Sequence, residues 1–204
     1  MDKKKISVII PTLSESPITL NSLPNTVEVI ISDWKTDDKR IYGLSVARNI
    51  GAMRANGDIL VFMDDDIRFD QDFFDRLIAC VAEGKVAGLK SKWHDYLIGR
   101  VLAITKEDFF KVGGFDPLMI FSEDVEFSYR LQRMGYELVE FPVDSVMHIP
   151  HPGRDPRKFI QYLRTNLIIA FKYPKYFKKI PRTIFDYYYH KIMKPREKGG
   201  KYVE

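Results

Sequence analysis

Three consecutive carboxylates, Asp64, Asp65 and Asp66, follow the apolar run Ile59–Met63. Side by side they repel one another and stay ionised together most easily beside a cation, so a Mg²⁺ or Mn²⁺ ion bridging to phosphates is their natural partner. At the carboxyl end of a buried strand they occupy the edge where open α/β sheets bind ligands. The stretch lacks the glycine and spaced ligands of a helix-loop-helix calcium site. Taken alone, the triplet suits a solvated acidic turn equally well.

A second acidic pair opens the string Ser-Glu-Asp-Val-Glu-Phe-Ser-Tyr-Arg at 122–130. Ser122 is placed to cap a helix whose first turn holds Glu123 and Asp124. Acidic groups there complement the helix dipole by about 0.3–1 kcal/mol each. A carboxylate held rigidly at a helix start can also serve as a general base towards a substrate hydroxyl. His148 follows a predicted strand and precedes Ile-Pro-His, so either His148 or His151 could reach a metal, although a lone histidine is more often structural. Asp33 reads equally as a turn residue, and Arg48 and Asn49 equally as helix surface.

Buried strands must carry these groups. Residues 6–11, 27–32 and 58–63 are apolar and largely β-branched, the pattern of a mostly parallel sheet covered on both faces. Between the second and third, residues 45–57 place Val46, Ile50 and Met53 at helical spacing and stop at Asn-Gly. Residues 70–84 align Phe74, Leu77, Ile78 and Val81, with Asp70 as the cap. The mixed runs 86–90 and 100–104 read as edge strands. A short helix at 106–112 ends at Gly113-Gly114. In the helix at 123–134, Phe127, Leu131 and Met134 line one face and Glu126, Arg130 and Arg133 the other, with an i,i+4 ion pair available. Strand-like segments follow at 136–141 and 143–147. Asp155 and Pro156 read as cap and first residue of a helix whose face of Ile160, Leu163, Leu167 and Phe171 packs on the body.

The chain has 204 residues, enough for one substantial core. A composition 45% hydrophobic and 29% charged excludes long disorder and collagen-like classes. The lone Cys80 offers no intramolecular disulfide and no thiolate cluster, which points to a reducing compartment. The apolar run after the first lysines stops at Pro11, short of a secretory signal core, and no stretch reaches membrane-spanning length. The net charge of +4 conceals an asymmetry: residues 1–150 carry 18 Lys and Arg against 24 Asp and Glu, residues 151–204 carry 14 against 4. An acidic body suits a metal-assisted site, and a basic aromatic tail suits an anionic surface. The expected division is a catalytic domain at 1–153 and a helical extension at 154–204, packed on the domain or on a membrane.

Together the fragments are far more specific than any one alone. Ser7–Leu13 (Ser-Val-Ile-Ile-Pro-Thr-Leu), Ile30–Asp33, Ala47–Gly51 (Ala-Arg-Asn-Ile-Gly), Ala55–Asp66, Val112–Asp116 (Val-Gly-Gly-Phe-Asp), Ser122–Tyr136 and then His148 occur in an order that resembles the family-two inverting glycosyltransferases of the GT-A fold. The likeness covers residues 5–172. It implies a Rossmann-like α/β domain with a mostly parallel central sheet and flanking helices, followed by the C-terminal extension. By that resemblance the aspartate triplet is the DXD motif, with Asp64 and Asp65 beside the nucleotide and Asp66 the principal metal ligand. Pro11, Thr12, Leu13, Asp33, Arg48 and Asn49 match positions around the base and ribose. Asp124 matches the catalytic base, Glu123 its neighbour beside acceptor or sugar, and His148 a metal or diphosphate contact. Trp93, His94 and Tyr96 are assigned to the acceptor side by position alone.

The implied activity is metal-dependent transfer of one sugar, with inversion, from a UDP- or GDP-sugar to a lipid-linked or glycan acceptor hydroxyl, with Mn²⁺ or Mg²⁺ as cofactor. The chain departs from the family in the dozen or so residues between Leu13 and the second strand, where a longer helix is usual. It also lacks the Gln-X-X-Arg-Trp motif of polymerising members, which favours single-sugar addition. The implied location is cytoplasmic, peripheral on the membrane through the tail. Two other classes compete: a nucleotide-sugar- or RNA-binding module without transferase activity, and a metal-dependent nucleotidyltransferase. The acidic body argues against nucleic acid as a partner.

Overall fold

The computed structural model describes residues 4–33, 43–90, 95–149, 158–178 and 181. Two compact units divide between His148 and Ile149. In the first, six strands form one sheet: β1 (Ile6–Thr12), β2 (Glu28–Asp33), β3 (Ile59–Met63), β5 (Lys85–Lys90), β6 (Ile98–Thr105) and β7 (Glu137–Pro142), in the order β2-β1-β3-β6-β5-β7. Only β6 runs against the others. The sheet is thus mostly parallel, as expected. A separate two-stranded ladder joins β4 (Ile67–Arg68) to β8 (Met147–His148).

The alternation of side chains along the central strands builds two cores. Val8, Ile10, Val61 and Met63 face one way and meet Phe73, Phe74 and Leu77 of α2 (Gln71–Ala79). Ile9, Leu60 and Phe62 face the other way and meet α1 (Leu44–Arg54), α3 (Lys106–Val112) and α4 (Glu123–Arg133) through Ala52, Phe109, Phe127 and Leu131. Continuous apolar strands are what this double covering demands. Asp70 caps α2 by accepting from Phe73 N at 2.8 Å, and Thr105 caps α3 by accepting from Asp108 N at 3.1 Å.

Four sequence expectations are corrected. The runs at 86–90 and 100–104 lie inside the sheet as parts of β5 and β6, not at its edge. Their polar residues sit towards the strand ends, while Val86, Ala87, Leu89 and Val101–Ile104 are buried. In α1 the apolar spacing misidentifies the inner face. Met53 is 65% exposed, and Ser45, Ala47, Arg48, Gly51 and Ala52 are buried. A Cβ on Gly51 would stand 2.4 Å from Ile9 Cγ2, so glycine sets the close approach of α1 to β1. In α4 Glu126 is buried with its i,i+4 partner Arg130 at 2.8 Å, whereas Met134 is half exposed. Finally, residues 143–147 form a short 3-10 turn, Val143–Ser145, before the two residues of β8.

The second unit contains α5 (Lys158–Lys172) and α6 (Pro174–Phe177). Tyr176 donates from its hydroxyl to Asn166 Oδ1 at 2.5 Å, and Asn166 Nδ2 donates to Tyr162 O at 2.7 Å. The first bond ties α6 to α5, and the second steadies Asn166 within α5. The expected cap and first helical residue, Asp155 and Pro156, lie outside the described residues.

Candidate active site

The site lies at the carboxyl ends of β1 and β3, and α1 organises it. Ser45 donates to Met119 O at 2.6 Å, and Asn49 both donates to Phe115 O at 2.7 Å and accepts from Phe115 N at 2.9 Å. Between them Arg48, almost wholly buried, donates through Nη2 to Asp64 Oδ1 at 2.9 Å and to Gly99 O at 2.8 Å. Its Nη1 donates to Glu123 Oε1, and its guanidinium carbon lies 5.4 Å from the centre of the Phe115 ring. One cation therefore ties the aspartate triplet to the acidic pair of α4. Arg48 is an interior ion-pairing group and not helix surface. Its Nε has no hydrogen-bond partner among the described residues.

Glu123 and Asp124 are adjacent but differently housed. Glu123 is buried on Arg48. Asp124 is half-buried, accepting from Gly99 N at 2.7 Å and from Val125 N at 2.8 Å. Gly99 is a site residue that the sequence did not announce. A Cβ there would lie 3.0 Å from Asp124 Cβ and 3.1 Å from Arg48 Nη1. Ser122 occupies the cap position with φ 57° and makes no side-chain cap bond, correcting the expected capping role. It is the only non-glycine residue with positive φ among those described, and strained backbone of this kind tends to collect at functional sites.

Electrostatics bind the same groups together. Burial pushes the Glu123 carboxyl up to about 7; Arg48 opposes the shift and the neighbouring Asp124 adds to it. Asp64 is also raised, first by desolvation and then by Asp66 and Asp124, against the pull of Arg48 and Arg100. Its side chain is 33% exposed, so solvent softens the effect. For Arg48, burial works against the charged form, but Glu123, Asp64 and Asp124 outweigh it and the guanidinium is held more firmly protonated than usual.

The end of β1 and the segment that follows it latch directly onto the triplet. Thr12 Oγ1 donates to Asp65 Oδ2 and accepts from Ser14 N at 2.8 Å. Ile18 N donates to Asp65 O at 2.9 Å, and Thr19 Oγ1 donates to Asp64 O at 2.7 Å. Between β1 and β2 the chain forms a 3-10 turn, Ile18–Ser22. Thr12 is buried and Leu13 exposed beside it, while Asp33 ends β2 in register with Thr12. The β4–β8 ladder pairs Ile67 with His148, which sets His148 Nε2 2.8 Å from Asp66 Oδ2.

The structure thus brings Thr12, Arg48, Asp64, Asp65, Glu123 and Asp124 into one connected network, with Asp66 and His148 paired at the end of the triplet. Asn49 is spent on Phe115. Tyr96 is buried beside the Tyr129 ring, at 6.5 Å between centroids. Trp93, His94 and His151 lie outside the described residues. A cavity of about 490 Å³ lined by Lys4, Lys5, Thr26, Glu28 and Asn56 opens at the other end of β1. Glu28 there is occupied by Ser7 and Asn56.

Glycosyl transferase family 2 matches residues 36–133, just under half the chain. No curated protein sequence matches significantly. Among solved structures, GalNAc-T7 with UDP, GalNAc and Mn²⁺ superposes with a TM-score of 0.62 at 16% identity, covering 93% of this chain and 56% of that one. The mannosyltransferase PcManGT from Pyrobaculum calidifontis, in complex with GDP-Man and Mn²⁺, gives 0.62 at 17% identity, covering 89% and 65%. S. aureus TarS gives 0.57 at 15%, covering 91% and 43%. The chain spans less than two thirds of each of these proteins.

Proposed function

We propose that this chain, whose residues 36–133 match glycosyl transferase family 2 and which shares the fold of the nucleotide-sugar transferases above, moves a single sugar, with inversion, from a nucleotide-diphosphate sugar to an acceptor hydroxyl. The observation that carries this reading is the Arg48 bridge, which sets the triplet and the Glu123–Asp124 pair in one site. The two relatives with nucleotide or nucleotide-sugar bound hold UDP and GDP-Man, each with Mn²⁺, and this supports a UDP- or GDP-sugar as donor. The acceptor in this reading is lipid-linked or a glycan.

The donor atoms suit a hard divalent cation. Asp66 Oδ2 and His148 Nε2 lie together, and no group of three His, Cys, Asp or Glu among the described residues forms a cage. The protein would therefore supply Asp66 and His148, leaving the other positions to phosphate oxygens and water, as Mg²⁺ prefers. Bound there, Mn²⁺ or Mg²⁺ would act as a Lewis acid towards the departing diphosphate.

The chain's own residues do the rest. Thr12 fixes Asp65 at the nucleotide end, and Arg48 fixes Asp64. Asp124, half-buried and oriented by the Gly99 and Val125 amides, is reachable by an acceptor hydroxyl and takes its proton as the oxygen attacks the anomeric carbon. Glu123 is too deeply buried for that task and serves to hold Arg48. Base catalysis of this kind contributes typically about 10²- to 10⁴-fold. Thermal-shift measurements with UDP and GDP, each with and without Mn²⁺, test the reading. Stabilisation by one nucleotide that requires the metal is expected, and indifference to both nucleotides would defeat the proposal.

A further inference from the structure

α5 is built inside out. Residues 160, 164, 167 and 171 share one helical face, and that face is exposed: Ile160 by 73%, Leu167 by 40% and Phe171 by 82%, with exposed Arg164 among them. The buried side holds Thr165, Asn166, Ile169 and Ala170. The sequence pattern assigns Ile160, Leu167 and Phe171 to packing, but the inner face is instead satisfied by the Tyr176–Asn166–Tyr162 hydrogen bonds. Three large apolar side chains are left outward along a single stripe.

We propose that this stripe docks on an anionic phospholipid bilayer, with α5 lying in the plane of the interface. Residues 158–178 contain Lys158, Arg164, Lys172, Lys175 and Lys178 and no Asp or Glu. A symmetric pairing of two copies through this face would bring Arg164 against a segment with no carboxylate to meet it, whereas lipid phosphates neutralise its charge. The helix is about 22 Å long, and no helix among the described residues is long and apolar enough to cross a membrane. Ile160, Leu167 and Phe171 enter the boundary between headgroups and acyl chains, while the long basic side chains rest their stems on it and keep their charges among the phosphates. Such docking would carry the chain to the surface where a lipid-linked acceptor resides, a consequence that rests on the transferase reading, whereas the docking itself does not.

Co-sedimentation of the full chain with phosphatidylcholine vesicles, plain or with about one-third phosphatidylglycerol, tests the proposal without donor or metal, so its outcome is independent of the transferase reading. At least about tenfold more protein should bind the anionic vesicles, and added salt should weaken that binding. Ile160→Asp with Phe171→Asp should reduce it about tenfold, with circular dichroism and thermal unfolding unchanged because both side chains are exposed. Arg164→Gln with Lys175→Gln should flatten the salt dependence. Equal binding to both vesicles, or anionic binding unaffected by the aspartate pair, would overturn the proposal. So would a wild-type chain that ignores vesicles but forms a dimer that the aspartate pair dissolves, since the stripe would then be a self-association face.

Discussion

Asp64 and Glu123, which belong to distant parts of the chain, are held by the two terminal nitrogens of the Arg48 guanidinium. A buried cation between two carboxylates is balanced only while all three are present. Removing one partner from such a pair typically costs about 3–5 kcal/mol, because the remaining charge stays buried without compensation. Arg48→Met should therefore lower stability by an amount of that order in urea denaturation. Adding Glu123→Gln to it should recover part of the loss above pH 7, where the Glu123 carboxyl would otherwise ionise in the interior without its cation.

Asp124→Asn is expected to keep metal-dependent nucleotide binding in calorimetry and to lose transfer by about 10²-fold or more in a product assay. Undiminished transfer would remove Asp124 from the role of base.

Asp66→Ala should abolish the Mn²⁺-dependent part of nucleotide affinity, and chelation of the wild type with EDTA should reproduce that loss. His148→Ala should weaken the same coupling without removing nucleotide binding altogether. A metal response that survives in Asp66→Ala would place the ion elsewhere.

Glu123 gives stability a pH dependence of definite sign. Its carboxyl rises from 4.5 to about 7 on folding, so the folded chain holds the extra proton between these values. The associated stability is complete below about pH 4.5 and is lost as pH rises through about 7. Melting temperatures across this range should fall less steeply for Glu123→Gln than for the wild type; parallel curves would contradict the assignment.

Gly99→Ala places a methyl group 3.0 Å from Asp124 Cβ and 3.1 Å from Arg48 Nη1. Overpacking of this kind costs about 1–3 kcal/mol, and the displaced Asp124 should reduce transfer more than nucleotide affinity. Paired kinetic and binding measurements would separate the two effects.

Much of this architecture can be read from hydrophobic spacing. β1 and β3 are continuous apolar runs, and the triplet necessarily follows β3. The acidic start of α4 and the position of His148 after the last strands are equally plain. Spacing reports apolar area, however, and it is blind to polar groups buried by pairing. The inner faces of α1, with Arg48 and Ser45, and of α5, with Asn166 and Thr165, read as surface for that reason, and so does Glu126 beside Arg130. Gly99 is invisible for another reason, since its value is the space it leaves for Asp124 and Arg48. The latch of Thr12 and Thr19 onto the triplet uses hydroxyls at a strand end and in a 3-10 turn, which carry no periodic signal at all.

The two rungs between Ile67–Arg68 and Met147–His148 have one more implication. The six-stranded sheet is already finished at Pro142, so a chain ending there would retain every main strand and still lack the imidazole beside Asp66. The reactive corner therefore depends on a stretch of chain that adds no rung to the main sheet, though its Val146 still packs into the core beneath.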